Sequence, residues 1–127
     1  MVEAVTRGVH VEVVSEFVPE RSAPHEGTYF FAYHIRITNQ ADETVQLLSR
    51  EWLITDGDGQ VERIEGEGVV GEQPVLGPGE SFEYTSFCPL PTPYGSMHGS
   101  YLMAIEGGGT FLVTIPAFAL AVSSTVN

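Results

Sequence analysis

The sequence contains no lysine, and its basic residues besides histidine are five arginines, against 17 aspartates and glutamates. The resulting formal net charge of −12 repels nucleic-acid phosphates and anionic membrane surfaces. We therefore expect neither a nucleic acid nor a membrane as a partner, because cations and basic protein surfaces are electrostatically easier to bind. The acidic residues are scattered along the chain, which is also typical of a surface that only maintains solubility.

Cysteine and long apolar runs are also scarce. Cys88 is the single cysteine, which excludes an internal disulfide and favours a reducing compartment. Its neighbours Phe87 and Pro89 favour a packed thiol, since an activated thiolate needs a base or a cation nearby. No apolar run approaches the roughly 20 residues of a membrane helix, and the N-terminal residues lack the apolar stretch of a secretory signal. We predict a cytoplasmic protein with a single domain over residues 1–127 and an ordered core at about 5–122.

Helical periodicity is rare in the sequence, whereas alternation of apolar and polar residues is frequent. The clearest example is residues 29–37, where five aromatic or aliphatic side chains share one face. Similar segments are residues 9–13, 45–54, 60–65, 81–85, 97–105 and 111–122. With turn signals about every ten residues, they predict an all-β fold, an antiparallel β-sandwich of seven or eight strands. The proline-containing segments 19–27 and 89–95 are predicted to be rigid loops, and residues 123–127 a frayed tail.

Three breaks in the alternation predict local irregularities in the strands. The apolar positions change from odd to even numbers between Leu47 and Trp52, which predicts a β-bulge near residues 48–50. Gly99 interrupts an apolar row, which predicts either a gap or a close approach of another backbone segment. Pro116 predicts an edge position or a second bulge, because proline cannot donate a hydrogen bond to a neighbouring strand.

A glycine-rich stretch at mid-chain contains the string GxGxxG, formed by Gly66, Gly68 and Gly71. In a dinucleotide-binding fold this string ends a buried parallel strand and begins a helix that holds the pyrophosphate. Here the preceding strand is polar, and Pro74 and Pro78 follow too closely for a helix. The sequence therefore excludes a Rossmann site.

Two interpretations of the glycine stretch remain. The glycines are expected to turn the chain between two antiparallel strands, with Val69, Val70 and Val75 toward the core. Another kind of backbone cradle at Gly66, Gly68 and Gly71 could still bind an anion, because successive free N–H groups can form a nest.

Other candidate sites are weaker. The four histidines share no metal-like spacing, and we expect His10 and His34 on the outer faces of their strands. A cation site made of histidine and carboxylate groups stays open, since strands can bring distant residues together. Residues 56–59 resemble a calcium loop only superficially and are expected to form a hairpin turn. No nucleophile-elbow pattern is found, so we predict no catalytic residue, no enzyme and no resident cofactor or metal site.

Several motifs give the chain a family resemblance that spans roughly residues 5–122. They are Tyr33–Asn39, Gln46–Trp52, Gly66–Pro74, Leu76–Gly79, Phe82–Tyr84, Thr92–Met97, Gly99–Tyr101 and Ile115–Phe118. With these motifs the sequence resembles the ApaG family. The resemblance implies an immunoglobulin-like or fibronectin-III-like sandwich in a bacterial cytosolic protein without an established activity. It also implies an association with cobalt and magnesium resistance and with neighbouring dinucleoside-tetraphosphate hydrolase genes. Related domains attached to F-box and polymerase-associated proteins suggest a role in partner binding.

Two functional hypotheses follow. The first is a non-enzymatic binding module that presents loops or an edge strand to another protein, as a monomer or as a homodimer paired through an edge strand. The second is a small-ligand protein that binds a divalent cation, or a nucleotide or pyrophosphate through the Gly66–Gly71 loop.

Overall fold

The computed structural model describes residues 1–122, and the predicted frayed tail at 123–127 lies outside the described residues. The nine strands are β1 (Val2–Thr6), β2 (Val9–Phe17), β3 (Tyr29–Asn39), β4 (Val45–Asp56), β5 (Val61–Glu67), β6 (Val75–Leu76), β7 (Ser81–Leu90), β8 (Tyr94–Ile105) and β9 (Thr110–Ala121). Two 3₁₀ turns, Pro19–Arg21 and Pro24–Glu26, connect β2 to β3. Residues 1–122 contain no α-helix, and none of their helical segments is long and apolar enough to cross a membrane.

The strands form two antiparallel sheets, which confirms the predicted all-β sandwich. One sheet has the strand order β1-β2-β3-β7, and the other has the order β5-β4-β8-β9, with β6 paired to the first residues of β4. Residues 1–122 contain nine strands rather than seven or eight, because β1 and the two-residue β6 were not predicted. The finer relationship to immunoglobulin or fibronectin-III domains stays a prediction.

Alternating apolar residues from the inner faces of both sheets make up the core. At its centre the rings of Tyr33, Trp52 and Phe118 pack with centroid separations of 5.4, 5.7 and 5.9 Å. Val9, Val11 and Val13 of β2 and the odd-numbered residues of β3 from Phe31 to Asn39 are also buried. The period of two in the sequence therefore corresponds to the inward face of each strand.

The three predicted irregularities are confirmed. The register between β4 and β8 shifts between Leu47 and Ser49, at the position expected for the bulge. Gly99 lies where the register between β8 and β9 shifts, and a Cβ added to it would collide with the carbonyl oxygen of Glu51. Pro116 lies on β9, an edge strand of its sheet.

The loop predicted at residues 89–95 is shorter than expected, and the prediction is wrong for most of its length. β7 extends through Pro89 to Leu90, and β8 begins at Tyr94. Pro89 is compatible with the strand because it lies on an edge strand, where a missing N–H need not cost a ladder hydrogen bond.

Candidate functional site

The glycine stretch forms a tight turn just beyond the end of β5. The N–H of Val69 donates to the carbonyl of Glu72 at 2.8 Å, and the N–H of Glu72 donates back at 2.9 Å. The two residues between them, Val70 and Gly71, have φ angles of 43° and 81°. This pairing with two positive φ angles is typical of a type I′ turn. The expectation that glycines turn the chain here is confirmed for Gly68 and Gly71.

Other expectations for this stretch are wrong. Gly66 is a residue of β5 rather than of the turn, and no positive φ angle occurs there. Val69 is buried as expected, but Val70 and Val75 are 55% and 58% exposed. Val70 points outward because it occupies the tip of the turn, and Val75 because it precedes the buried Leu76 on a short strand.

The positive φ of Val70 leads to a prediction about stability. A β-branched residue in the left-handed region is strained by about 1 kcal/mol or more, whereas asparagine adopts this conformation readily. We expect Val70→Asn to raise the free energy of unfolding by about 1 kcal/mol, measured by urea denaturation. Val75→Asn is the control, because Val75 is equally exposed but has an ordinary strand conformation. An equal gain in both variants would contradict the strain at Val70.

Hydrogen bonds within the turn engage backbone N–H groups that an anion bound at its glycines would need. The N–H groups of Gly68, Val69 and Glu72 all donate to carbonyls of the chain itself. Gly66 borders a surface depression of about 430 Å³ on the outer face of its sheet, lined by Arg50 as well as by Glu51, Glu65 and Glu67. Arg63 pairs with two of these glutamates, Glu51 and Glu65. Anion binding at Gly66, Gly68 and Gly71 stays a prediction. The carboxylate of Glu67 lies beside these glycines and would repel an anion.

Sequence reasoning missed Arg50, which lies against the glycine stretch. Its Nη1 donates to the carbonyl oxygens of Glu67 and Gly68 at 3.1 and 2.8 Å. A Cβ on Gly66 would lie 2.9 Å from both terminal nitrogens of the guanidinium, so the glycine leaves the space that Arg50 occupies. Among residues 1–122 no carboxylate oxygen lies within 4.0 Å of Arg50. The Arg-Glu-Trp motif was visible in the sequence, but the contact with Gly66 depends on the register of β4 and β5.

Buried hydroxyl groups extend from Arg50 into the core. The hydroxyls of Tyr84 and Tyr101 share a hydrogen bond of 2.6 Å, and burial raises the pKa of both phenols. Burial also raises the pKa of Tyr33, and the charge of Arg50 opposes this rise in all three tyrosines. Arg50 lies opposite the buried Tyr101 in the β4–β8 register, so the two side chains share the inward face of their sheet.

Cys88 lies further along β7 and is buried, as expected for a packed thiol. Burial raises its pKa to about 11, and the nearby charge of Glu62 adds to this effect. Glu62, on β5, lines a shallow surface depression together with Pro89 and Leu90 of β7.

β7 forms a free edge of its sheet. In β3, Phe30 directs both backbone groups toward β2, because its N–H donates to the Ser22 hydroxyl and its carbonyl accepts from Val18. Phe30 and its partner Pro89 therefore form a non-hydrogen-bonded pair. The pattern alternates along the ladder, so Glu83, Thr85 and Phe87 direct their backbone groups away from β3. Among the described strands, β7 pairs with β3 alone.

The two edges of the other sheet, β9 and β5, are protected. β9 is tied to the opposite sheet, because the N–H of Thr114 donates to the hydroxyl of Thr6 on β1 and the hydroxyl of Ser15 donates to the carbonyl of Ala119. β5 carries four charged residues in seven. Hydrogen-bonded and non-hydrogen-bonded pairs alternate along β4 and β5, so the carbonyl of Glu67 points away from β4. Arg50 donates a hydrogen bond to this carbonyl. β7, in contrast, has one charged residue in ten, Glu83.

A second group of polar residues lies on the outer face of the β1–β2–β3–β7 sheet. His10 and His34 are on this outer face, as expected, and their Nε2 atoms lie 2.6 and 2.8 Å from carboxylate oxygens of Glu3 and Glu83. Glu12 lies opposite Glu3 on the neighbouring strand, and the ligand atoms of Glu3, His10 and Glu12 are within 4.8 Å of one another. Sequence reasoning missed this cluster because β1 was not predicted, although the spacing of His10 and Glu12 places them on one face.

Known proteins similar to this chain cover nearly its whole length. The ApaG domain matches residues 19–105. Protein ApaG of Methylobacterium sp. (strain 4-46) is 57% identical over 122 residues, which are 96% of this chain and 94% of that protein. Protein ApaG of Anaeromyxobacter sp. (strain K) is 53% identical over 127 residues, which are 100% of both chains. The crystal structure of a protein described as ApaA, from Bordetella pertussis, has a TM-score of 0.89 and 50% identity, and the match covers 92% of this chain and 95% of that one.

Proposed function

The chain belongs to the ApaG domain family, and from this premise we propose that it is a non-enzymatic binding module that works in the cytoplasm. Its function is to bind another protein by pairing an extended segment of that protein with β7. The observation that supports this most strongly is the difference between the edges. β7 is open and has one charged residue, whereas β9 is tied to the opposite sheet and β5 carries four charged residues in seven.

Strand addition suits an edge of this kind. Backbone hydrogen bonds to the outward groups of Glu83, Thr85 and Phe87 would provide affinity, and the side chains would provide selectivity. An open edge strand exposes a protein to aggregation, so natural proteins usually cover, shorten or charge such edges. Among its ten residues β7 has one charged residue, Glu83, and one proline near its end, Pro89, so the protection of this edge is slight and we regard its open part as a binding surface.

The charge of the protein favours a basic partner over a second copy. Two copies paired through β7 would each have a net charge of −12, which opposes their association. A segment with several arginines or lysines would instead be steered toward the protein.

A selection experiment tests this proposal. Twelve-residue linear peptides displayed on phage are selected on the immobilised full-length protein. We expect enriched peptides with alternating apolar residues and a net positive charge, whose affinity falls as salt increases. Failure to enrich any peptide, or enrichment of peptides that bind without contact to β7, would contradict the proposal. A dimer in sedimentation experiments that excludes the peptides would identify a second copy as the occupant of β7.

A divalent cation is the second candidate ligand, and the cluster of Glu3, His10 and Glu12 is the observation that favours it. Two carboxylates directly opposite each other on neighbouring strands repel, and a cation between them would remove that repulsion. One imidazole with two carboxylates suits cobalt or zinc better than magnesium, which prefers oxygen ligands alone. The nucleotide alternative has less support, because the turn uses N–H groups that a phosphate would need.

We expect roughly millimolar cobalt to raise the melting temperature of the protein more than magnesium does, since a ligand of the native state stabilises it. His10→Ala should abolish the cobalt effect. His34→Ala is the matched control, because His34 pairs with a single glutamate, Glu83, on the same face. An equal cobalt effect in wild type and His10→Ala would rule out this site. The nucleotide alternative has its own test, a calorimetric titration of the protein with ATP.

A further inference from the structure

Two charged residues border the space into which a strand bound on β7 would project its inner side chains. Glu62 and Arg50 belong to the opposite sheet, but the charge of Glu62 acts on Cys88 and that of Arg50 acts on Tyr84. The geometry agrees, because Arg50 lies opposite Tyr101 in the β4–β8 register and the Tyr101 hydroxyl shares a 2.6 Å hydrogen bond with that of Tyr84 on β7. A shallow depression of about 170 Å³ between Glu62 and Leu90 shows that β5 and β7 border the same open side of the sandwich.

The two charges are separated by a fixed length of strand. Gly66, which contacts the Arg50 guanidinium, is four residues from Glu62 on β5, and Tyr84 is four residues from Cys88 on β7. Four residues of strand extend about 13 Å. Side chains at positions i, i+2 and i+4 of an added strand share one face, so i and i+4 span the same distance. The partly buried Ile64 lies between the two charges.

Both charges lack an ionic partner within the part of the chain that the structure describes. No opposite charge lies within 4.0 Å of Glu62 or Arg50 in residues 1–122. Arg63, the neighbour of Glu62, pairs instead with Glu51 and Glu65 on the outer face. Glu62 and Arg50 occupy the inward-facing positions of β5 and β4, opposite Ile54 and Gly66 respectively. Their charges are therefore available to a bound segment.

We propose that Glu62 and Arg50 select the segment that binds to β7: it has a basic residue and an acidic residue four positions apart on its inner face, with an apolar residue midway. The basic residue pairs with Glu62, the apolar residue covers Ile64, and the acidic residue pairs with Arg50. If the segment runs antiparallel to β7, the basic residue comes first, opposite Cys88, and the acidic residue comes later, opposite Tyr84. In a parallel segment the order is reversed. This inference rests on the proposed function, because it requires strand addition to β7.

The test uses peptides selected on phage and a charge reversal. The peptides enriched on the wild-type protein are synthesised, and their basic and acidic inner positions are neutralised one at a time. Each neutralisation should weaken binding by up to about fivefold, as for partly exposed ion pairs. Glu62→Gln should weaken binding of the parent peptide by the same factor as neutralising the basic residue of the peptide does. It should not change the affinity of the peptide whose basic residue has been neutralised. Glu62→Lys should prefer a peptide in which glutamate replaces the basic residue.

The outcomes separate this inference from the proposed function. If peptides bind at β7 but Glu62→Gln and Glu62→Lys leave their charge preference unchanged, the inference is wrong and strand addition survives. If no peptide binds at β7, both are wrong. Arg50 also bonds to the backbone of β5, so its variant could be misfolded. Arg50→Lys, which keeps the charge, is therefore compared with Arg50→Gln once their melting temperatures have been shown to be equal. Neutralising the acidic residue of the peptide should weaken its binding to the lysine variant alone.

Discussion

Replacement of Gly99 by alanine is expected to lower the free energy of unfolding by about 3 kcal/mol, a large fraction of the 5–15 kcal/mol typical of a domain. The added Cβ would collide with the Glu51 carbonyl oxygen and lie 3.2 Å from the Cα of Trp52. These are backbone atoms in the central strand β4, so they can move only if the β4–β8 ladder opens beside the buried Trp52 ring. Urea denaturation with a comparison of midpoints measures this effect.

Gly107→Ala is the matched control for this variant. Gly107 has no positive φ, and its nearest neighbour to an added Cβ is the end of a glutamate side chain at 3.5 Å. This substitution should change stability by no more than about 1 kcal/mol, with a gain if the loss of backbone freedom in the unfolded chain dominates. Equal midpoints for the two alanine variants would contradict the close approach of β4 and β8 at Gly99.

Closing the edge of β7 is expected to weaken peptide binding at least tenfold, as a rough estimate. In Thr85→Pro the proline ring removes the outward N–H at the centre of the edge, and the peptide carbonyl that it would have bonded is left unpaired. The ladder with β3 loses no hydrogen bond, since this N–H points away from β3. Pro89 already occupies an equivalent position in the same strand. Affinities of the selected peptides, measured by calorimetry, give the result directly.

Thr85→Val is the control for the loss of the hydroxyl, which lies 2.9 Å from Nδ1 of His34. Valine keeps the backbone N–H and removes only this contact, so peptide affinity should stay near that of wild type. Similar weakening in the valine and proline variants would point to the side chain and against backbone pairing. Unchanged binding in both variants would place the peptides elsewhere on the surface.

Features that depend on one strand at a time could be predicted from the sequence. The bulge after Leu47, the close approach at Gly99 and the edge position of Pro116 all follow from breaks in a period of two, which is a local signal. β1 was missed because its five residues mix small, polar and charged side chains. The extension of β7 through Pro89 was missed because proline usually interrupts pairing, and only the register shows that its nitrogen faces the free edge.

The candidate sites could be predicted only in part, because they depend on the pairing of distant segments. Arg50 contacts Gly66 through the β4–β5 register, and Glu3 reaches His10 through the β1–β2 register. The GxGxxG string correctly indicated turns at Gly68 and Gly71. It could not reveal the exposure of Val70, because side chains in a turn follow no period that the sequence displays.

Amide hydrogen exchange along β7 tests the central claim most directly. In the free protein the amides of Tyr84, Ser86 and Cys88, which face β3, should exchange slowly, whereas those of Glu83, Thr85 and Phe87 should exchange fast. A bound peptide should slow exchange at Glu83, Thr85 and Phe87 and leave the outward amides of β5 unchanged. Protection that instead appears on β5, or no change at the three outward amides of β7 when peptide is bound, would contradict strand addition at this edge.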